Sequence, residues 1–218
     1  SVSGENITLT SQNAVVLNSE QSSVDFSGIT ATAADAYVSI NPASLPFLSA
    51  LPASFSGGYR LQSAPSVSSG TTLTLADGVM LSNSTSMQMN VYGTLQARYT
   101  ETVDAFKSVG SWFDIFVQNG GKLLLENANV ILSAGNNWFR VYDGGTLEMT
   151  GGSVKVGDAL RVYSGGSASL TDVSVLSGMY VAGAAELANC SFNNNALYVQ
   201  SGASFSLVNS TGLGTLYI

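Results

Sequence analysis

"LRVYSGGSASL", residues 160–170, has near-copies on both sides, "FRVYDGGTLEM" at 139–149 and "LYVQSGASFSL" at 197–207. Each reads apolar-x-Val-polar, then a glycine turn, then apolar-x-apolar. Aligned on the valine, further copies are "MNVYGTLQA" (89–97, one residue shorter at the turn), "IFVQNGGKLLL" (115–125) and "MYVAGAAELAN" (179–189), with a truncated "LYI" at 216–218. The anchors are Val91, Val117, Val141, Val162, Val181, Val199 and Ile218, spaced 26, 24, 21, 19, 18 and 19 residues apart, so the repeat shortens along the chain. A period in this range marks a solenoid, in which each unit buries its face against its neighbours.

Within a unit the local period is 2. Met89/Val91, Ile115/Val117, Phe139/Val141 and Leu160/Val162 alternate with Asn90, Phe116, Arg140 and Arg161, as in a strand with one face in and one out. After the glycines a second pair follows (Leu123/Leu125, Leu147/Met149, Ala168/Leu170, Phe205/Leu207), then a third (Val130/Leu132, Val154/Val156, Val173/Val175). Gly120-Gly121, Gly144-Gly145 and Gly165-Gly166 suit corners that need positive φ. The expectation is an all-β, single-stranded parallel β-helix (β-solenoid) with three short strands per rung, one domain over 1–218.

Upstream the pattern is looser. Leu73/Leu75 and Val79/Leu81 continue it, as do Ile7/Leu9, Val15/Leu17 and Val24/Phe26. Residues 31–65 break it and hold all four prolines, which predicts an excursion with a short helix around 43–50. Residues 98–112, "RYTETVDAFKSVGSW", read as a second, smaller excursion.

The glycine-turned rungs over most of 67–218 resemble the right-handed β-helix of bacterial adhesin and autotransporter passenger domains. "NCSFNNNALYVQSGA" (189–203) resembles polymorphic-membrane-protein repeats, whose signatures are Phe-x-x-Asn and Gly-Gly-Ala. Phe192–Asn195 fits the first, and "SGA" at 201–203 fits the second in part. The resemblance implies a right-handed solenoid in a surface or secreted protein, and it carries over no catalytic residue.

Composition narrows the function. Charged residues are 10% of the 218, net charge is −7, and the seven basic residues are scattered, which excludes a groove that tracks nucleic-acid phosphates. No apolar run reaches the ~20 residues of a membrane-spanning helix. With no histidine and only Cys190, intrachain disulfides and Cys/His zinc sites are impossible, and Cys190 reads as a buried apolar residue. Few charges with abundant Ser, Thr, Asn and Gly suit an extracellular or cell-surface chain. A start at Ser1 without Met is expected of a processed chain or an excised piece.

Parallel β-helices also carry polysaccharide lyases and hydrolases, whose chemistry needs acids set close together. Asp114, Glu126, Asp143, Glu148, Asp158, Asp172 and Glu186 are spread over the rungs, mostly one per corner or strand. Asp143 and Asp158 on neighbouring turns suit turn-capping. No enzyme activity, cofactor or metal site is expected. Asn136-Asn137, Asn189 and Asn193–Asn195 suit ladders along the stack. Glycosylation sequons stand at Asn6, Asn83, Asn189 and Asn209, with Asn189 expected partly buried. Thr8/Thr10, Thr30/Thr32 and Thr72/Thr74 do not read as a ladder over consecutive rungs.

The strongest binding candidate is the outward row of the first strand. One residue before the anchors stand Asn90, Phe116, Arg140, Arg161, Tyr180, Tyr198 and Tyr217; one after stand Tyr92, Gln118, Tyr142, Tyr163, Ala182 and Gln200. Stacking about 4.8 Å apart makes this an aromatic stripe with two adjacent arginines, expected over tyrosine rings or against Asp143 and Asp158. Either the rings brace the sheet or the stripe binds a glycan or another subunit. A join of Leu216, Tyr217 and Ile218 to the N-terminal stretch carrying Ile7 and Leu9 would also read as one more rung, so head-to-tail stacking is expected of an open-ended solenoid. The functional expectation is an extracellular structural or adhesive protein, with a surface-filament subunit as one form of that role. The alternative is a glycan-binding module, or a carbohydrate-active enzyme or phage spike of this fold.

Overall fold

The computed structural model describes residues 5–18 and 24–218. It is a parallel β-solenoid of about nine turns, 52% strand and 3% helical. A typical rung runs Phe139–Val141, Thr146–Thr150, Ser153–Val156, and the next runs Ala159–Val162, Ser167–Thr171, Ser174–Val175. Each strand pairs in parallel with its equivalent one turn on: Val141 with Val162, Val162 with Val181, Leu147 with Ala168, Val154 with Val175. The repeat valines therefore form one interior ladder. Val91, Val117, Val141, Val162 and Val181 are fully buried, and Val199 partly.

Among the described residues the first strands form an eight-stranded sheet from Ser66–Val67 to Thr215–Tyr217. Second and third strands share a larger, thirteen-stranded sheet, because the corner between them takes only one or two residues. Those residues are left-handed: Asn127, Asp172, Asn189 and Asn209 at φ 49 to 56°, and the Gly151-Gly152 pair in their register. Asparagine, aspartate and glycine tolerate this backbone; β-branched residues do not. The corner amides bond from rung to rung, with Gly151 N–H donating to Thr171 O, Asp172 N–H to Ala188 O and Asn189 N–H to Val208 O. Asp172→Val is accordingly expected to lower stability by about 1–2 kcal/mol, whereas Asp172→Gly should be nearly neutral; a pair of urea melts separates them.

The paired glycines divide the work at the other corner. Gly120, Gly144 and Gly165 have positive φ. Gly121, Gly145 and Gly166 do not, and lie so close beneath the preceding rung that a side chain would strike its backbone.

The excursion within 31–65 is narrower than its bounds, since Tyr37–Ile40 and Tyr59–Leu61 belong to the stack, pairing with each other, and Tyr59–Leu61 pairs with Leu81–Asn83. Only the segment between them leaves the sheet. It carries the short helix expected around 43–50, a 3-10 helix at Pro42–Phe47, started by the Asn41 side chain accepting from Ala43 N–H. The excursion expected at 98–112 is instead strand as far as Lys107. Thr94–Lys107 is one strand, whose pairing with Lys122–Leu132 shifts between Arg98 and Val103, so that 99–102 bulge where the neighbouring rung turns on Asn127 alone. Asn189 is exposed rather than partly buried, because its corner projects into solvent. Thr8 does stack in register on Thr30, across one pair of rungs.

The asparagine reading is more accurate inside. Asn137 is buried, and its Oδ1 accepts from Phe113 N–H of the preceding rung. Asn83, also buried, donates to Ser111 Oγ and accepts from Val109 N–H. Cys190 is buried with its thiol against the Leu170 and Ala188 carbonyls, and burial pushes its pKa up.

Candidate binding face

The outer surface of the first-strand sheet brings the candidate residues together. Phe116 pairs with Arg140, Arg140 with Arg161, Arg161 with Tyr180, Tyr180 with Tyr198, and Tyr198 with Tyr217. Beside this row Tyr142 and Tyr163 stack with centroids 5.0 Å apart and planes 8° off parallel. Tyr198 and Tyr217 stack at 4.5 Å and 1°, while Tyr180 lies tilted by 35° from Tyr198 at 6.5 Å. At these spacings the stacked rings cover each other's faces, so what points outward is ring edge and phenol hydroxyl.

Phe116 does not belong to the accessible surface. It is 7% exposed, with Trp138 stacked beside it at 6.4 Å and Tyr142 edge-on at 5.5 Å. Trp138 takes its place at the surface, 38% exposed. Its signal was in the sequence: it shares the outward parity of Arg140 two residues on, one position beyond the residues flanking the anchor.

The two arginines are held differently. Arg161 bonds Asp158 with both a 2.9 Å ion pair and a 3.0 Å Nε–H bond, which raises its pKa further, and its guanidinium lies 5.3 Å from the Tyr180 ring centroid. Arg140 lies 3.8 Å over Trp138 and donates to the Tyr142 hydroxyl at 3.3 Å, instead of reaching Asp143. Buried Asp114 sits behind it. That carboxylate accepts from Trp138 N–H, and burial pushes its pKa up, partly offset by this bond and by the Arg140 charge. At the N-terminal end the row becomes amide, with Gln88 and Gln118 both donating to Asn90 Oδ1.

Of the self-assembly candidates, Leu216, Tyr217 and Ile218 are 42, 50 and 95% exposed on the last strand, and Ile7 is 39% exposed at the opposite end, where Leu9 is partly buried. Among the described residues no group of three or more Cys, Asp or Glu is placed to hold a metal ion, and no helix is long and apolar enough to cross a membrane. A shallow depression of about 360 Å³ lies on the second-strand sheet between Glu148 and Glu186, with Ser169 stacked between them. Two rungs part these exposed carboxylates by about 9.6 Å.

Fold and face define a parallel β-solenoid with a flat aromatic sheet surface. No family model, curated protein or solved structure matches the chain.

Proposed function

We propose that the chain is a structural and adhesive β-solenoid of the cell surface or extracellular space. The observation that carries this reading is the in-register row from Arg140 to Tyr217, displayed by a backbone whose rungs at Val141, Val162 and Val181 are braced by a fully buried core. A face of this kind keeps its geometry without a ligand, which is what a display scaffold needs. The adhesin-like glycine turns, the low charge and the lone buried thiol support the same reading. Antibody labelling of intact cells of the source, compared with permeabilised cells, tests it. Equal signal in both is expected, and signal only after permeabilisation overturns the surface reading.

The chain acts here without turnover. Incubation with pectin, alginate, chitin and peptidoglycan fragments, with and without calcium, should release no product. Release abolished by Glu148→Gln or Glu186→Gln would instead make the second-strand depression an active site.

A second reading, end-to-end stacking, is favoured by the exposure of Leu216 and Ile218 beside an unpaired strand edge, which accepts a further rung from any chain able to supply one. Sedimentation of the 218-residue protein should then show concentration-dependent elongation that Ile218→Lys stops while the circular dichroism stays unchanged. A monomer at every concentration removes this reading.

A further inference from the structure

The first-strand sheet is long and narrow. Its eight strands span seven steps of about 4.8 Å, roughly 34 Å, and three outward positions per strand give a width of about 13 Å. The product, about 450 Å², is well short of the ~800 Å² per partner of a stable protein interface. A strip of this shape suits a chain molecule lying along the solenoid axis.

Charge and spacing narrow the occupant. Arg161 is neutralised by Asp158 and Arg140 faces Asp114, so the strip offers polar groups without net positive charge to an anionic polymer. Among the described residues the hydroxyls of Tyr163, Tyr180, Tyr198 and Tyr217 make no hydrogen bond to protein, and each phenol can donate and accept. They recur once per rung. An extended peptide, rising about 3.3 Å per residue, falls out of step with a 4.8 Å ladder within two or three residues, whereas a sugar ring in an extended chain spans close to one step.

A column of small residues runs beside the tyrosines. Ala159, Gly178 and Ala196 follow one another in the column next to Arg161, Tyr180 and Tyr198. Gly178 is not required by the backbone: its φ lies outside the left-handed region, and a Cβ there would meet nothing closer than 3.7 Å. Its missing side chain leaves room at the strand surface.

We propose that this face binds an uncharged, extended polysaccharide along the solenoid axis, one sugar per rung. The sugars lie over Ala159, Gly178 and Ala196, with their hydroxyls on the tyrosine ladder and on Arg161. The inference rests on reading the outward row as a contact surface rather than only as a brace for the sheet.

Affinity electrophoresis of the whole 218-residue protein tests it, in native gels containing glucomannan or hydroxyethylcellulose, with polygalacturonate, dextran and polyproline as the other arms. Retardation by the extended neutral polymers alone is expected. Tyr180→Phe/Tyr198→Phe keeps both rings and removes two hydroxyls, so it should weaken retardation about tenfold or more with no change in Tm. Gly178→Gln, which fills the room in that column, should do the same. The idea is overturned by no retardation, by retardation that the double variant leaves intact, or by preference for polygalacturonate, dextran or polyproline. Cell-surface labelling is read separately, so failure here leaves the scaffold role standing.

Discussion

Val162→Asp is expected to prevent folding altogether. Val162 is fully buried and stacked between Val141 and Val181, so its replacement places a carboxylate in a continuous apolar column with no cation in reach. Such a substitution costs upward of about 4 kcal/mol, against a total stability of about 5–15 kcal/mol for an ordinary domain. Both neighbouring rungs lose their partner at once, because in a solenoid each rung is buried only by the next. Ser169→Asn, which has the shape of aspartate without a charge beside Glu148 and Glu186 and points outward from the second strand of the same rung, should change stability by less than about 0.5 kcal/mol. Urea unfolding followed by circular dichroism compares the two. If Val162→Asp melts within a few degrees of the parent, the interior register is wrong.

Gly121→Ala should be nearly as severe, and Gly120→Ala mild. A Cβ on Gly121 would stand 1.9 Å from the Val91 carbonyl oxygen, which cannot retreat because it accepts from Gln118 N–H. Relief needs two rungs to part, at a cost of about 3 kcal/mol or more. Gly120 has φ +73° but open space around it, so alanine there meets only the left-handed backbone penalty of about 1–2 kcal/mol. Thermal melts of the pair give the order. Equal losses would mean that backbone strain, not closeness of rungs, selects both glycines.

These two positions show what the sequence makes legible. Alternation around each valine recurs in every rung from 89 onward, so its phase can be checked repeatedly, and the ladder is recovered residue for residue. The glycine pair is visible too, but its second member serves packing between rungs, which no single repeat reveals. Tyr37–Ile40 and Tyr59–Leu61 were hidden because each is short and a proline-bearing segment separates them. The 99–102 bulge shifts the phase of Val103 to Lys107, so a run that reads as a break is strand as far as Lys107. At the candidate face, the register placed the tyrosines correctly. Burial of Phe116 depends on Trp138 and Tyr142 packing beside it, a contact between rungs that spacing alone does not encode.

The rung-to-rung register also makes the molecule a ruler with discrete marks. Residues 142–162 form one complete unit, from the residue after one anchor to the next anchor. Excising them would join Val141 directly to Tyr163 and bring Val181 onto Val141, leaving an unbroken valine column. Arg140 would then neighbour Tyr180, and Tyr163 would inherit the place of Tyr142. The sheet would shorten by one step of about 4.8 Å with its surface chemistry otherwise kept. Duplication of a unit would lengthen it by the same increment. Reach along the axis is thus a quantity that whole-unit gain or loss can set without redesigning the core.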